Sequence, residues 1–312
     1  MKDLAIAPKG ATNQQFDYSS VSSWFTPLLF IVLWSSGYIG GAIGLNYAEP
    51  FTMTLYRFGT ATLILVVVAL LTKAPWPRGM QAVHIIIVGV LIQATQFGGL
   101  YSGMNAGVPA AVSALIVGTM PIFTAMGAWL FLGERVSSRQ WLGLSLGVVG
   151  VALVVSEGLH LSGTDITGYF YVCVALFGIT AGTLYQKKFC QAMDLRTGGA
   201  IQLGVASIIM FLLASSQETM QVDWGVGFLV STGWLALMNS IGAISLMFLM
   251  LRRGQASKVA SLFYLIPATT ALMATVVLGD SFQTLELIGF AVVVAAVYLV
   301  HRPVNLSDNS HL

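Results

Sequence analysis

Ten stretches of about 20 mostly apolar residues recur along this chain of 312, and they constrain its fold more than any motif does. They run over 24–46, 50–72, 80–103, 108–132, 139–155, 166–186, 197–216, 226–250, 256–278 and 285–301. In lipid every backbone N–H and C=O must be satisfied internally, so such a run spans as a helix. A transmembrane β-barrel needs alternating segments, whereas Leu63–Leu71 and Ala291–Val300 are continuously apolar. Charged residues make up 8% of the chain, against about 25% in soluble domains, which excludes a water-soluble or disordered protein. With 14 Lys+Arg against 12 Asp+Glu there is no basic footprint for nucleic acid. Cys173 and Cys190 are the only cysteines, too few for a disulfide framework or a zinc cluster.

Lysine and arginine orient the spans, because cytoplasmic loops retain them. Of the 14 basic residues, 13 fall in the two tails and in alternate loops. The five intervening loops have none and carry Glu49, Glu157, Asp165, Glu218, Asp223 and Asp280. This split predicts an even span count with both termini in the cytoplasm. The fourteenth, Arg57, lies inside span two.

The chain also matches itself at an offset of 146. Pro121 meets Pro267, Thr124 meets Thr270, Ala128 meets Ala274 and Gly143 meets Gly289, while Leu132-Gly133-Glu134 meets Leu278-Gly279-Asp280. Gly37-xxx-Gly41 in span one answers Gly178-xxx-Gly182 in span six. Five spans per copy is odd, so the second copy must enter the membrane from the opposite side. The expected organisation is a cytoplasmic tail (1–23), a first five-helix repeat (24–155), an external linker (156–165), an inverted second repeat (166–301) and a cytoplasmic tail (302–312). Inverted repeats are an architecture of alternating-access transporters.

The run Met120-Pro121-Ile122, Leu132-Gly133-Glu134-Arg135, Gln140-Trp141-Leu142-Gly143 resembles the EamA module of the drug/metabolite transporter superfamily. Ile266-Pro267, Leu278-Gly279-Asp280 and Glu286-Leu287-Ile288-Gly289 resemble its second copy, with Asp280 for the usual glutamate and Ala296 where the first copy has Gly150. Within the superfamily the chain is most similar to the YddG-type amino-acid exporters of bacterial inner membranes. The resemblance implies an all-α, ten-helix exporter, not an enzyme. Its central cavity would be lined mainly by spans one, three, four, six, eight and nine, and it would pass neutral and aromatic amino acids outward. The runner-up is an exporter of drugs or other small neutral metabolites.

The residues expected at the cavity are Trp34, Ser35, Tyr38, Gln93, Gln96, Thr119, Pro121, Thr180, Tyr185, Asn239, Tyr264 and Pro267. Aromatic rings stack on an aromatic substrate, and buried amides and hydroxyls meet its polar groups. Structural hydrogen bonding between helices is the competing role, and an interface belt is the expected role of Tyr101, Trp129 and Trp234. Matched prolines in the two halves free backbone carbonyls and point to the binding region. Arg57 has two readings: a contact to a substrate carboxylate, or a side chain snorkelling towards headgroups or Glu49.

No acidic residue falls mid-span. A proton-driven carrier normally embeds a carboxylate or histidine as a relay, so a facilitator is expected. The G-x-S-x-G pattern at Gly143–Gly147 lacks the strand-to-helix elbow of a hydrolase nucleophile. No cofactor or metal is expected, and the expected partners are the substrate and the bilayer around a monomer.

Overall fold

The computed structural model describes residues 25–132, 138–161, 165–190, 193–252, 262–263, 265–282 and 284–301. Among the described residues the regular structure is helical, with one isolated antiparallel bridge between Ala48 and Val222. In chain order the helices are α1 (Phe25–Gly44), α2 (Pro50–Leu71), α3 (Met80–Asn105), α4 (Ala110–Gly118 continuing as Met120–Leu132) and α5 (Ser138–Leu161). The second half has α6 (Ile166–Phe189), α7 (Leu195–Gln217), α8 (Val226–Trp234, Leu235–Ala243 and Ile244–Arg252 in succession), α9 (Leu265–Val277) and α10 (Thr284–His301). Seven are long and apolar enough to cross a membrane: α1, α2, α3, α4, α6, α7 and α8. Shorter apolar stretches, Trp141–Val154, Leu265–Val277 and Leu287–Ala296, lie where spans five, nine and ten are expected.

The halves interleave. Helices α5 and α10 pack together, as do α2 with α7 and α4 with α9. Helix α1 packs on α8 and α9, and α6 packs on α3 and α4. Helix α2 touches α8, and α7 touches α3. Exchanging every helix for the one five places away maps this set of pairs onto itself.

Both α3 and α8 pass through a π-helical segment, Gly89–Thr95 and Leu235–Ala243, beginning 146 residues apart. A π turn bulges the backbone and commonly marks functional sites. Glycines of the facing half meet each bulge. A Cβ on Gly178 would stand 2.7 Å from the Leu91 carbonyl oxygen and one on Gly182 2.4 Å from Ile92, while one on Gly37 would stand 2.4 Å from the Asn239 amide nitrogen and one on Gly40 3.2 Å from Leu235. The Gly178-xxx-Gly182 step of α6 therefore seats the α3 bulge, and Gly37 with Gly40 of α1 seats the α8 bulge, whereas Gly41 meets Tyr101 of its own half.

At one end of the bundle, residues 45–49 and 218–223 are clasped. Glu218 accepts from the backbone N–H groups of Phe51 and Thr52 and from the Thr52 hydroxyl, each at 2.7 Å. These are unsatisfied donors of the α2 N-terminus, satisfied here by a carboxylate from a distant loop. In return Glu49 accepts from the N–H and hydroxyl of Thr219, both at 2.8 Å. Asp194 caps α7, accepting from Arg196 N at 2.9 Å and from Arg196 Nη2 at 2.7 Å. The Arg196 side chain, assisted by backbone N–H groups, holds that carboxyl below the usual range.

Candidate functional site

Helix α4 breaks at Thr119, whose hydroxyl donates to the Ile116 carbonyl at 2.6 Å, and restarts at Met120. Helix α9 starts at Leu265 after a turn at Phe263. Pro121 and Pro267 therefore lie in the first turn of a helical segment, not in its interior. There a missing N–H costs nothing, because that donor would have no helical acceptor. The two restarts touch: a Cβ on Gly118 would stand 2.8 Å from the Pro267 ring.

Around this junction is a narrow cavity of about 20 Å³, room for roughly one water. It is lined by Trp34 and Tyr38 of α1, Gln96 of α3, Met120, Pro121 and the end of the preceding turn on α4, Ile179 of α6, and Phe263 and Ile266 at α9. Both halves contribute, and no described lining side chain is charged. Trp34 meets Phe263 edge-on, ring centroids 5.2 Å apart, with Phe30 behind both.

Of the residues expected at the cavity, Trp34, Tyr38, Gln96 and Pro121 line it. Ser35 lies behind the wall, its hydroxyl donating to the Ile266 carbonyl at 3.3 Å. Thr119 holds the α4 break, and Pro267 packs under it. Gln93 is buried in the α3 bulge. Thr180 presents a buried hydroxyl on α6 that has no partner among the described residues. Tyr185 is elsewhere: its hydroxyl meets His84 Nδ1 at 2.8 Å, and His84 stacks on Phe189 at 4.7 Å. Tyr264 lies outside the described residues. Among the described residues, span eight lends the cavity no lining side chain. Its Asn239 instead donates to the Leu33 and Trp34 carbonyls at 3.2 and 3.3 Å.

Arg57 does not snorkel. It is 1% exposed, and its side chain points into the protein. Nε donates to Ser240 Oγ at 2.9 Å, Nη1 to the Tyr101 hydroxyl and Nη2 to Asn239 Oδ1. The Phe97 ring covers it at 4.3 Å, a cation–π contact. Arginine only donates, so it fixes the Asn239 amide with oxygen towards Arg57 and nitrogen towards α1. Tyr101 is fully buried against Gly41 and belongs to this cluster, not to an interface belt.

Sequence reasoning missed Met120, Ile179, Phe263 and Ile266. Met120 and Ile266 each immediately precede a matched proline, which is a usable signal. Ile179 and Phe263 carry none, because an apolar residue suits lipid and cavity equally.

A helical membrane bundle around a small neutral cavity, closed by elements of two sequence-related halves, defines a polytopic carrier. The chain belongs to the EamA-like transporter family, whose model matches residues 23–156 and again 166–302. Its members are transporters, not enzymes. Consistently, Ser145 of the G-x-S-x-G pattern sits on α5, its hydroxyl donating to the Trp141 carbonyl at 3.1 Å. Relatives include the inner membrane transporter YedA of Escherichia coli K12, described as uncharacterised, 25% identical over 86% of this chain and 87% of that one. A probable amino-acid metabolite efflux pump of Salmonella typhimurium is 25% identical over 88% and 93%. A solved crystal structure shares the fold at TM-score 0.62 and 14% identity, covering 88% of this chain and 95% of its own.

Proposed function

We propose that this protein exports neutral amino acids, aromatic ones included, across a bacterial inner membrane by alternating access. In this reading ten spans form two inverted five-helix repeats with both termini in the cytoplasm. Support for the repeat comes from the two family-model matches, the helix pairs named above that map onto one another under a five-helix exchange, and the two π bulges 146 residues apart. Support for the orientation comes from the separation of basic and acidic loops.

The observation that carries the substrate reading is the lining of the junction cavity. Trp34, Phe263, Ile179, Met120 and Ile266 offer aromatic and aliphatic surface, and Gln96 and Tyr38 offer polar groups without net charge. Such a wall suits an apolar side chain and disfavours phosphorylated solutes, whose charge calls for several basic groups. A relative named as a probable amino-acid metabolite efflux pump agrees with it. No described acid lines the cavity, which supports a facilitator working down the substrate gradient.

The test is flux from proteoliposomes loaded with labelled Phe, Trp, Met and Thr, with and without a pH gradient. The proposal expects saturable release that ignores the gradient. Gradient-driven release would refute the facilitator mechanism, and His84 would then be the first residue to mutate. Absence of amino-acid flux would overturn the substrate class in favour of other small neutral metabolites.

A further inference from the structure

Arg57 is the sole charged side chain among the buried described residues. It sits about 10 Å along α2 from the helix start, where a charge is costly unless it is paired. Yet no described carboxylate lies within ion-pairing distance, and its three acceptors are neutral: Tyr101, Asn239 and Ser240. Among the described residues three of its five N–H donors have acceptors, which leaves one donor on each terminal nitrogen, and a carboxylate engages two guanidinium nitrogens at once. The cluster is joined to the cavity wall through Asn239, which bridges Arg57 and the carbonyl of Trp34, a lining residue.

We propose that Arg57 is the recognition point for the substrate's carboxylate, and that binding there is an exchange. The carboxylate takes the guanidinium from Asn239 and Ser240, because an ionised acceptor outcompetes an amide or hydroxyl oxygen. Asn239 then loses the partner that fixes its amide, and its hold on the Leu33 and Trp34 carbonyls of α1 is released. Occupancy thereby eases movement of the α1 wall against α8. The inference rests on the amino-acid reading above, since it supplies the carboxylate's partner that the uncharged cavity lining lacks.

The test uses the full-length protein in nanodiscs and two probes alike except at the carboxylate, phenylacetate and phenylacetamide, read by thermal shift. Phenylacetate is expected to stabilise the wild type at concentrations where phenylacetamide does not. Arg57→Gln should weaken phenylacetate binding by about tenfold or more, as for loss of a charge-assisted bidentate contact. Ser240→Ala removes a competing acceptor, so it should tighten phenylacetate binding about three- to tenfold. Equal stabilisation by both probes overturns the proposal, as does a Ser240→Ala protein that binds phenylacetate no better than the wild type. Should Arg57→Gln fail to fold, the Ser240→Ala result decides alone. Arg57-dependent phenylacetate binding without amino-acid flux would refute the substrate reading and leave this site standing. Amino-acid flux without discrimination between the probes would refute the exchange and leave the substrate reading standing.

Discussion

Replacing Gly99 by alanine tests whether the two halves owe their close approach to glycine. A Cβ there would stand 2.6 Å from the Tyr171 carbonyl oxygen and 2.9 Å from the Ala175 nitrogen, both backbone atoms of α6. An ordinary C···O contact is about 3.3–3.6 Å, so α3 and α6 must separate by several tenths of an ångström. A gap of about 0.5–1 Å forfeits a quarter to a half of each dispersion contact it opens. Overpacking of this kind costs about 1–3 kcal/mol. Gly233→Ala is the control, since nothing lies within 4 Å of the added methyl. Both glycines are helical, so the gain of roughly 1 kcal/mol from alanine's helix propensity is common to the two variants. Their difference isolates the packing term. Unfolding of the purified proteins in mixed micelles, followed by circular dichroism, should place Gly99→Ala below Gly233→Ala by about 1–3 kcal/mol. Equal stabilities would refute the claim that backbone contact at Gly99 holds α3 against α6.

Glu218→Ala should cost about 1–2 kcal/mol by uncapping α2, with faster hydrogen exchange at Phe51 and Thr52 and little change at the far end of that helix. Asp194 has its carboxyl held below the usual range by Arg196, so its stabilisation is present above the unfolded carboxylate pKa and is lost as pH falls through the folded one. Asp194→Asn keeps an N-cap but removes that charge. Its melting temperature, compared with the wild type, should show a deficit at neutral pH that closes at low pH; a deficit independent of pH would refute the assignment. In a cysteine-free background, Ser162→Cys should react with an impermeant maleimide on intact cells, and Arg78→Cys only after permeabilisation. The reverse pattern would overturn the proposed orientation.

What the sequence determined by itself is partition and repetition. Whether a segment enters lipid depends on its own side chains, and basic residues mark their loops without reference to any neighbour. The internal match likewise needs only the chain, and it anticipated the matched places of Pro121 and Pro267, each in the first turn of a helical segment. Four cavity residues, Trp34, Tyr38, Gln96 and Pro121, were legible because polar or ring-bearing side chains deep in a span call for an interior place. Which way a span faces was not legible. Lipid and protein interior are both apolar, so Ile179 at the cavity and Phe177 facing outward belong to the same kind of run. Arg57 shows the limit most clearly: at the same depth a chain can snorkel or turn inward. Only the meeting of α2, α3 and α8 supplied Tyr101, Asn239 and Ser240 to receive it. The same holds for the α2 cap, where Glu218 and its acceptor-seeking N–H groups are separated by 167 and 166 positions. Contacts of that range exist only once the bundle has formed, because the partner that stabilises each group is delivered by packing and not by the chain around it.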